Sequence, residues 1–270
     1  MQANRTKARL GAGETVVGCF CRYPDPAVVE LLALQGFDFL VFDGEHGTME
    51  PRECENMVRA AELHGATPIV RVPANAPPTI LRFLDTGAMG VHVPLVASAE
   101  DAEAAVRAVK YAPRGGRGLA GVRAAAYGQR GPLADYVAAA NTETLVVIQV
   151  ETVEAIPRVP EIAALDGVDV VFVGPTDLSQ ALGITGQTGH PLAEEAYDQV
   201  AAGLAGTDVA LGVLVGSAAE ARRWRERGAR YLAFTVDALI VRSAREVLAT
   251  VRDQAAGAVA VGEGGSHEDR

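Results

Sequence analysis

The chain has 270 residues, 49% of them hydrophobic, which is enough to bury a large core and fits one α/β barrel as well as two smaller domains. Its formal charge of −10, with the basic residues scattered, excludes a nucleic-acid surface, which needs clustered Lys and Arg. No apolar run approaches the ~20 residues of a membrane helix, and the polar start from Met1 to Gly13 lacks the apolar core of a signal peptide, so a soluble cytoplasmic protein is expected. Cys19, Cys21 and Cys54 show neither CxxC nor Cys/His metal spacing and read as buried thiols of a reducing compartment. Only two lysines are present, Lys7 and Lys110.

In chain order, eight apolar runs read as strands: Val16 to Phe20, Phe37 to Asp43, Pro68 to Val72, Gly90 to Val96, Leu145 to Glu151, Val168 to Gly174, Val209 to Val215, and Arg230 to Val236. Amphipathic stretches separate them. The first is punctuated as a helix, with Asp25 as cap, Pro26 at the first helical position, an apolar face of Val28, Val29, Leu32 and Ala33, and Gly36 as the stop. The connection from Ala97 to Thr144 is too long for one helix; it reads as a helix, an irregular loop around Pro113 to Gly118, and a second helix at Pro132 to Ala140. Ser217 and Glu220 form a capping box after the seventh strand. A last helix is expected at about Ala238 to Ala256, then a low-complexity tail, Gly257 to Arg270, disordered at its end. Eight βα units predict a closed (β/α)₈ barrel forming one domain, residues 1–256.

In such a barrel the residues ending the strands meet on one face. Asp43, Glu45 and His46 follow the second strand, Arg71 ends the third, Gln149 and Glu151 end the fifth, and Asp177 follows the sixth. Glu151 and Asp177 come from adjacent strands, which lie ~4.8 Å apart, so one cation fits between them; oxygen ligands select a hard divalent ion, Mg²⁺ or Mn²⁺ first. Arg71 suits charge stabilisation, His46 suits proton transfer near neutrality, and Asp43 is placed to orient its ring. Two structural alternatives stand beside this: Glu151 paired with Arg71, and Asp177 capping a helix. His92, inside the fourth strand, reads as a core histidine bonded to a backbone carbonyl, with an inward site residue as the alternative.

These motifs resemble the HpcH/HpaI family of metal-dependent class II pyruvate aldolases. The resemblance rests on Gly36-Phe37-Asp38 leading to Asp43-Gly44-Glu45-His46, then Arg71-Val72-Pro73, Val93-Pro94, Arg117-Gly118, Gln149-Val150-Glu151-Thr152 and Gly174-Pro175-Thr176-Asp177-Leu178-Ser179. It implies a barrel of the phosphoenolpyruvate/pyruvate-domain type that exchanges its last helix between subunits and assembles as a hexamer, a trimer of dimers. It implies Glu151 and Asp177 as metal ligands for Mg²⁺ or Mn²⁺, with Co²⁺ a further candidate and no organic cofactor. It also implies His46, Asp43 and Arg71 as catalytic residues. Substrate contacts are then expected from Arg71, Gln149, Gly174, Pro175, Thr176, Leu214, Phe20, Arg22 and Asp85, the last reaching a neighbouring subunit's site.

The implied reaction is reversible aldol cleavage of a 4-hydroxy-2-oxo acid to pyruvate and an aldehyde. Alternatives are an enolate made by decarboxylating oxaloacetate, as in macrophomate synthase of the same superfamily, and a binding barrel without turnover. Phe20 replaces a tryptophan of the type member, Arg22 a glycine and His92 an aliphatic residue. Residues two apart share a strand face, so Arg22 is expected over the barrel mouth with Phe20, or else in solvent if the strand ends first.

Overall fold

The computed structural model describes residues 1–262, with side chains through Arg252. Residues from Met1 to Phe234 form one compact unit and those from Thr235 onward a second. The first unit is a closed barrel of parallel strands in sequential order: β1 (Val16–Cys21), β2 (Phe39–Asp43), β3 (Thr67–Arg71), β4 (Gly90–Val93), β5 (Leu145–Val150), β6 (Val170–Val173), β7 (Ala210–Leu214) and β8 (Ala229–Thr235). All eight expected runs are strands. The fold is the (β/α)₈ barrel that their spacing predicts.

Their helices lie outside: α1 (Arg5–Gly11), α2 (Pro26–Leu34), α3 (Pro51–Leu63), α4 (Pro77–Leu84), α5 (Ala99–Val109), α6 (Leu133–Glu143), α7 (Val159–Ala163), α8 (Pro175–Ala181), α9 (Pro191–Gly203) and α10 (Ala218–Glu226). Asp25 caps α2 through the Ala27 N–H, and Ser217 accepts from the Glu220 N–H at the start of α10. The long β4–β5 connection contains α5, an irregular pair of tight turns at Arg123–Gly128 and α6.

The barrel is filled by inward residues graded in size. Phe39 stacks on Tyr231 with centroids 4.0 Å apart, and this needs Gly18, where a Cβ would stand 2.2 Å from the Phe39 ring. Gly212 similarly yields space to Phe172 and Tyr231. The amino-terminal end is closed by α1, whose Leu10 joins the barrel core. Asn4 caps this helix and also donates to the Met89 and Glu143 carbonyls, while Lys7 pairs with Asp169. No helix is expected there from the sequence, because Leu10 is the one large apolar side chain of α1 and leaves no 3.6-residue pattern.

Most element ends shift from expectation by one to three residues, and two of the differences have a particular cause or consequence. β4 stops at Val93 rather than Val96, because Pro94 has no N–H for the ladder and Leu95 turns with φ 54°. The second unit is α11 (Val236–Gly262), which starts earlier and runs further than the expected Ala238 to Ala256, so residues 257–262 of the expected tail are helical. Residues 263–270, the rest of that tail, lie outside the described residues.

Candidate active site

Parallel pairing sets Asp43 beside Arg71 and Arg71 beside His92 at the carboxyl ends of β2, β3 and β4. Asp43 is fully buried. It accepts from Arg71 Nε at 2.9 Å and Nη2 at 2.6 Å, from Arg22 Nε at 3.4 Å, and from the backbone N–H groups of Glu45 and His46 at 3.1 Å. Burial alone would raise the Asp43 pKa; the hydrogen bond and charge of Arg71, with the two backbone donors, outweigh it and hold the carboxyl below its usual range.

This arrangement corrects the expected role of Asp43. Its link to His46 is to the backbone N–H, not to the ring, because the guanidinium beside it in register takes the carboxylate. The alternative pairing of Glu151 with Arg71 is also displaced, since Arg71 is committed to Asp43 and, through Nη1 at 3.0 Å, to Glu45. Below, the Phe20 ring faces the guanidinium at 5.1 Å. Phe20 is therefore a buried floor to Arg71, packed in the core. Arg22 does reach the barrel mouth and is half-buried there.

Glu151 follows β5 and is buried. Its Oε1 accepts from the Leu95 N–H at 2.8 Å and its Oε2 from Gln149 Nε2 at 2.9 Å. Gly174, after β6, opens the space in front of it: a Cβ there would stand 2.9 Å from Glu151 Oε2 and 3.6 Å from Asp177 Oδ2. Asp177 occupies the first turn of α8, whose cap, Gly174, has no side chain, and Pro175 is buried while Thr176 is exposed. Burial raises the Glu151 pKa, and the Asp177 charge adds to this against the donors from Leu95 and Gln149. Glu45 is raised for the same first reason, with the charge of Glu151 contributing.

Two carboxylates on one glycine-sized opening, both oxygen donors, fit a hard divalent cation that keeps positions for water and substrate. Among the described residues no group of three or more His, Cys, Asp or Glu forms a closed metal cage. His46 is exposed on the loop after β2, near enough to Glu45 to favour its ionised form. Leu214 lies partly buried against the barrel core at the end of β7. Asp85 is not brought to this cluster. It follows α4, at the barrel's amino-terminal end, and pairs with Arg117 at 2.8 Å.

Sequence reasoning missed Leu95. A non-glycine residue at positive φ aims its N–H at Glu151, and the only signal was its place after Val93-Pro94. His92 points inward and bonds the Tyr231 hydroxyl at 2.7 Å, rather than a backbone carbonyl.

A parallel eight-stranded barrel with acids, a pinned arginine and a histidine at its carboxyl-terminal mouth has the layout of a (β/α)₈ enzyme. Residues 16–244 match HpcH/HpaI aldolase/citrate lyase, and the chain belongs to that family. It is 37% identical over 246 residues to 5-keto-4-deoxy-D-glucarate aldolase of Shigella boydii, covering 91% of this chain and 95% of the relative. An HpcH/HpaI aldolase/citrate lyase family protein from Burkholderia cenocepacia superposes with a TM-score of 0.88 at 37% identity, covering 93% of this chain and all of that one. Macrophomate synthase superposes with a TM-score of 0.79 at 26% identity, covering 93% of this chain and 89% of that one. The reaction class is that of an aldolase, a carbon–carbon lyase.

Breaking the buried pair should be costly. Asp43→Asn is expected to lower stability by about 3–5 kcal/mol, since it takes from the buried Arg71 its bidentate carboxylate and leaves only the single contact with Glu45. Because the folded-state pKa of Asp43 is depressed, its contribution is present above the ordinary carboxylate range and is lost as pH falls through the lowered value. Urea midpoints should thus differ by a constant amount above about pH 5 and converge below about pH 4. Equal midpoints at pH 7 would show that the pair does not hold the mouth.

Proposed function

We propose that this chain is a divalent-metal-dependent aldolase that cleaves a 4-hydroxy-2-oxo acid to pyruvate, or a related 2-oxo acid, and an aldehyde. The observation that carries the proposal is the placement of Glu151 and Asp177 on one opening at Gly174, beside a guanidinium fixed by Asp43. Glu151 and Asp177 would hold Mg²⁺ or Mn²⁺. Bound there, the cation supplies Lewis acidity toward the oxygens of the 2-oxo acid.

The chain's own groups then act as follows. Arg71, unable to turn away from Asp43, presents positive charge to the 2-keto oxygen, which becomes negative as the C3–C4 bond breaks and its electron pair passes to the pyruvyl fragment. His46 takes the proton leaving the 4-hydroxyl as the aldehyde forms; protonation at C3 then yields pyruvate. Gln149, Gly174, Pro175, Thr176 and Leu214 line the donor and acceptor space. The likeness to macrophomate synthase favours a second reading of the donor, in which oxaloacetate loses carbon dioxide to give the same enolate.

A Schiff base is not part of the proposal. Lys110 is fully buried and donates to the Asn141 and Thr144 carbonyls, ahead of β5, and Lys7 lies in α1; both are at the opposite end of the barrel. The protein is expected to exchange deuterium into pyruvate, to lose this activity on exhaustive chelation, and to keep its mass after treatment with pyruvate and borohydride. Loss of a positioned acid or charge stabiliser typically costs ~10²–10⁴ in rate, so His46→Ala and Arg71→Ala should each slow the exchange by that order. Full activity without metal, or a trapped pyruvyl adduct, would reverse the assignment, and running oxaloacetate beside pyruvate separates the two donors.

Arg22 is assigned to the acceptor. It stands over the mouth on Asp43, and the Shigella boydii relative is named for a glucarate, whose fragments are both acids. Arg22→Gly should lower kcat/KM for acidic aldehydes by about 1–3 kcal/mol relative to neutral ones of matched size. An equal change for both classes removes Arg22 from specificity.

The second unit points to assembly. Exposed Ile240, Val241, Val247, Leu248 and Val251 give α11 an apolar surface, which suits exchange between subunits in a homo-hexamer in which Asp85 reaches a neighbouring site. Sedimentation should give a species of about six times the 28.1 kDa chain, and a monomer would exclude this. Three buried free thiols fit a cytoplasmic enzyme, and among the described residues no helix is long and apolar enough to cross a membrane.

A further inference from the structure

A polar column runs through the barrel interior beneath the site. His92 is fully buried between the rings of Phe20 and Phe172, and its Nε2 lies 2.7 Å from the Tyr231 hydroxyl on β8. Burial, and then the charge of Arg71, push the His92 pKa down to about 3, so the imidazole is neutral at neutral pH. A neutral imidazole has one N–H and one bare nitrogen. Burial holds the Tyr231 hydroxyl well above its ordinary pKa, so it keeps its proton, and since Nε2 is its one hydrogen-bond partner among the described residues, donation to Nε2 is the arrangement that satisfies this buried O–H. The hydrogen of His92 is thereby assigned to Nδ1.

That Nδ1 and Oε1 of Gln149 are both buried and outside hydrogen-bond geometry with any partner among the described residues. They belong to neighbouring strands. β4 and β5 pair His92 with Val147, and Gln149 is the next inward residue along β5. The Gln149 side chain is close enough to the ring to favour a proton on it. A small rotation joins the two buried atoms and satisfies both. The other end of the same amide is already fixed, with Nε2 donating to Glu151 Oε2 at 2.9 Å.

We propose that Tyr231, His92 and Gln149 form a directional hydrogen-bond relay that orients Glu151, making His92 a positioning residue for the carboxylate pair. The direction is the substance of the relay. With Nδ1–H facing Oε1, the amide cannot flip; flipped, its oxygen would face the Glu151 carboxylate and its N–H₂ would face another N–H. Glu151 then keeps a donor on each oxygen while Oε2 stays at the Gly174 opening. This rests on the reading that Glu151 and Asp177 hold a divalent cation.

The test measures Mn²⁺ binding to the full-length protein by electron paramagnetic resonance, together with ¹⁵N chemical shifts of the imidazole in the metal-free protein. His92→Leu removes the donor and should weaken Mn²⁺ binding by about 10–100-fold, the usual effect of losing a group that holds a ligand in place. His92→Asn puts an amide N–H close to the Nδ1 position and should restore most of the affinity, which a general packing role for the ring would not explain. Tyr231→Phe deletes only a hydroxyl, frees the tautomer and should give a smaller loss; it also carries the test if His92→Leu does not fold. The ¹⁵N shifts should report an Nδ1–H tautomer that does not titrate between about pH 5 and pH 9, on both sides of the ordinary histidine value of about 6.5. Unchanged affinity in both His92→Leu and Tyr231→Phe, or an Nε2–H tautomer, overturns the relay. Absence of Mn²⁺ binding in the wild type would defeat the cation reading instead, and the ¹⁵N tautomer would still decide the relay.

Discussion

The mouth of this barrel depends on one buried ion pair. Removing a carboxylate and a guanidinium from water costs several kcal/mol for each, so the pair persists only with full hydrogen bonding. Asp43 has it: two bonds from Arg71, one from Arg22 and two from the backbone that follows. The glycines beside it follow from the same closeness. A Cβ at Gly44 would stand 2.9 Å from the Arg71 carbonyl, and one at Gly47 2.7 Å from that of Asp43. The loop carrying Glu45 and His46 folds tightly over the pair because nothing larger fits.

Fixing Arg71 sets the electrostatics of everything above it. Glu45, Glu151 and Asp177 gather near a cation already committed to Asp43, so negative charge is in excess; burial first, with this charge adding to it, makes Glu45 and Glu151 hold protons more readily than usual. A divalent ion answers that excess more fully than a proton, because it can meet two carboxylates at once. Leu95 shows how far the chain goes to keep Glu151 ionised and aimed. Its backbone takes a conformation costing of order 1 kcal/mol or more to place one N–H on Oε1.

The strands were legible because burial on both faces leaves continuous apolar runs, and the acids and Arg71 were legible because each ends such a run. What pairs with what was not. Register decides that Asp43 sits beside Arg71, 28 residues away, and the stacking of Phe39 on Tyr231 likewise joins residues far apart in sequence. The His92–Tyr231 bond escaped for the same reason, with 139 residues between partners. α1 escaped for a different one: it is held by Asn4, Thr6 and Lys7 bonding to strand ends, and polar contacts of that kind leave no periodic trace.

Lys110 shows why position outranks reactivity in assigning chemistry. Burial, with the nearby charge of Lys7 adding to it, brings its pKa down to about 7, and an amine so easily deprotonated is the usual mark of a Schiff-base lysine. Its surroundings give the lowered value another meaning. Nζ lies 2.9 Å and 2.7 Å from the carbonyls of Asn141 and Thr144, and the neutral amine has two hydrogens, one for each. It holds the end of α6 to the start of β5, shielded from substrate by the full depth of the barrel. At the other end of the barrel stands Arg71, and in the proposed function a cation held by Glu151 and Asp177 would join it; these are the positive groups that could meet the negative charge of a 2-oxo acid. In a barrel whose two ends are separated by a packed core, the end on which a group emerges determines whether it can act.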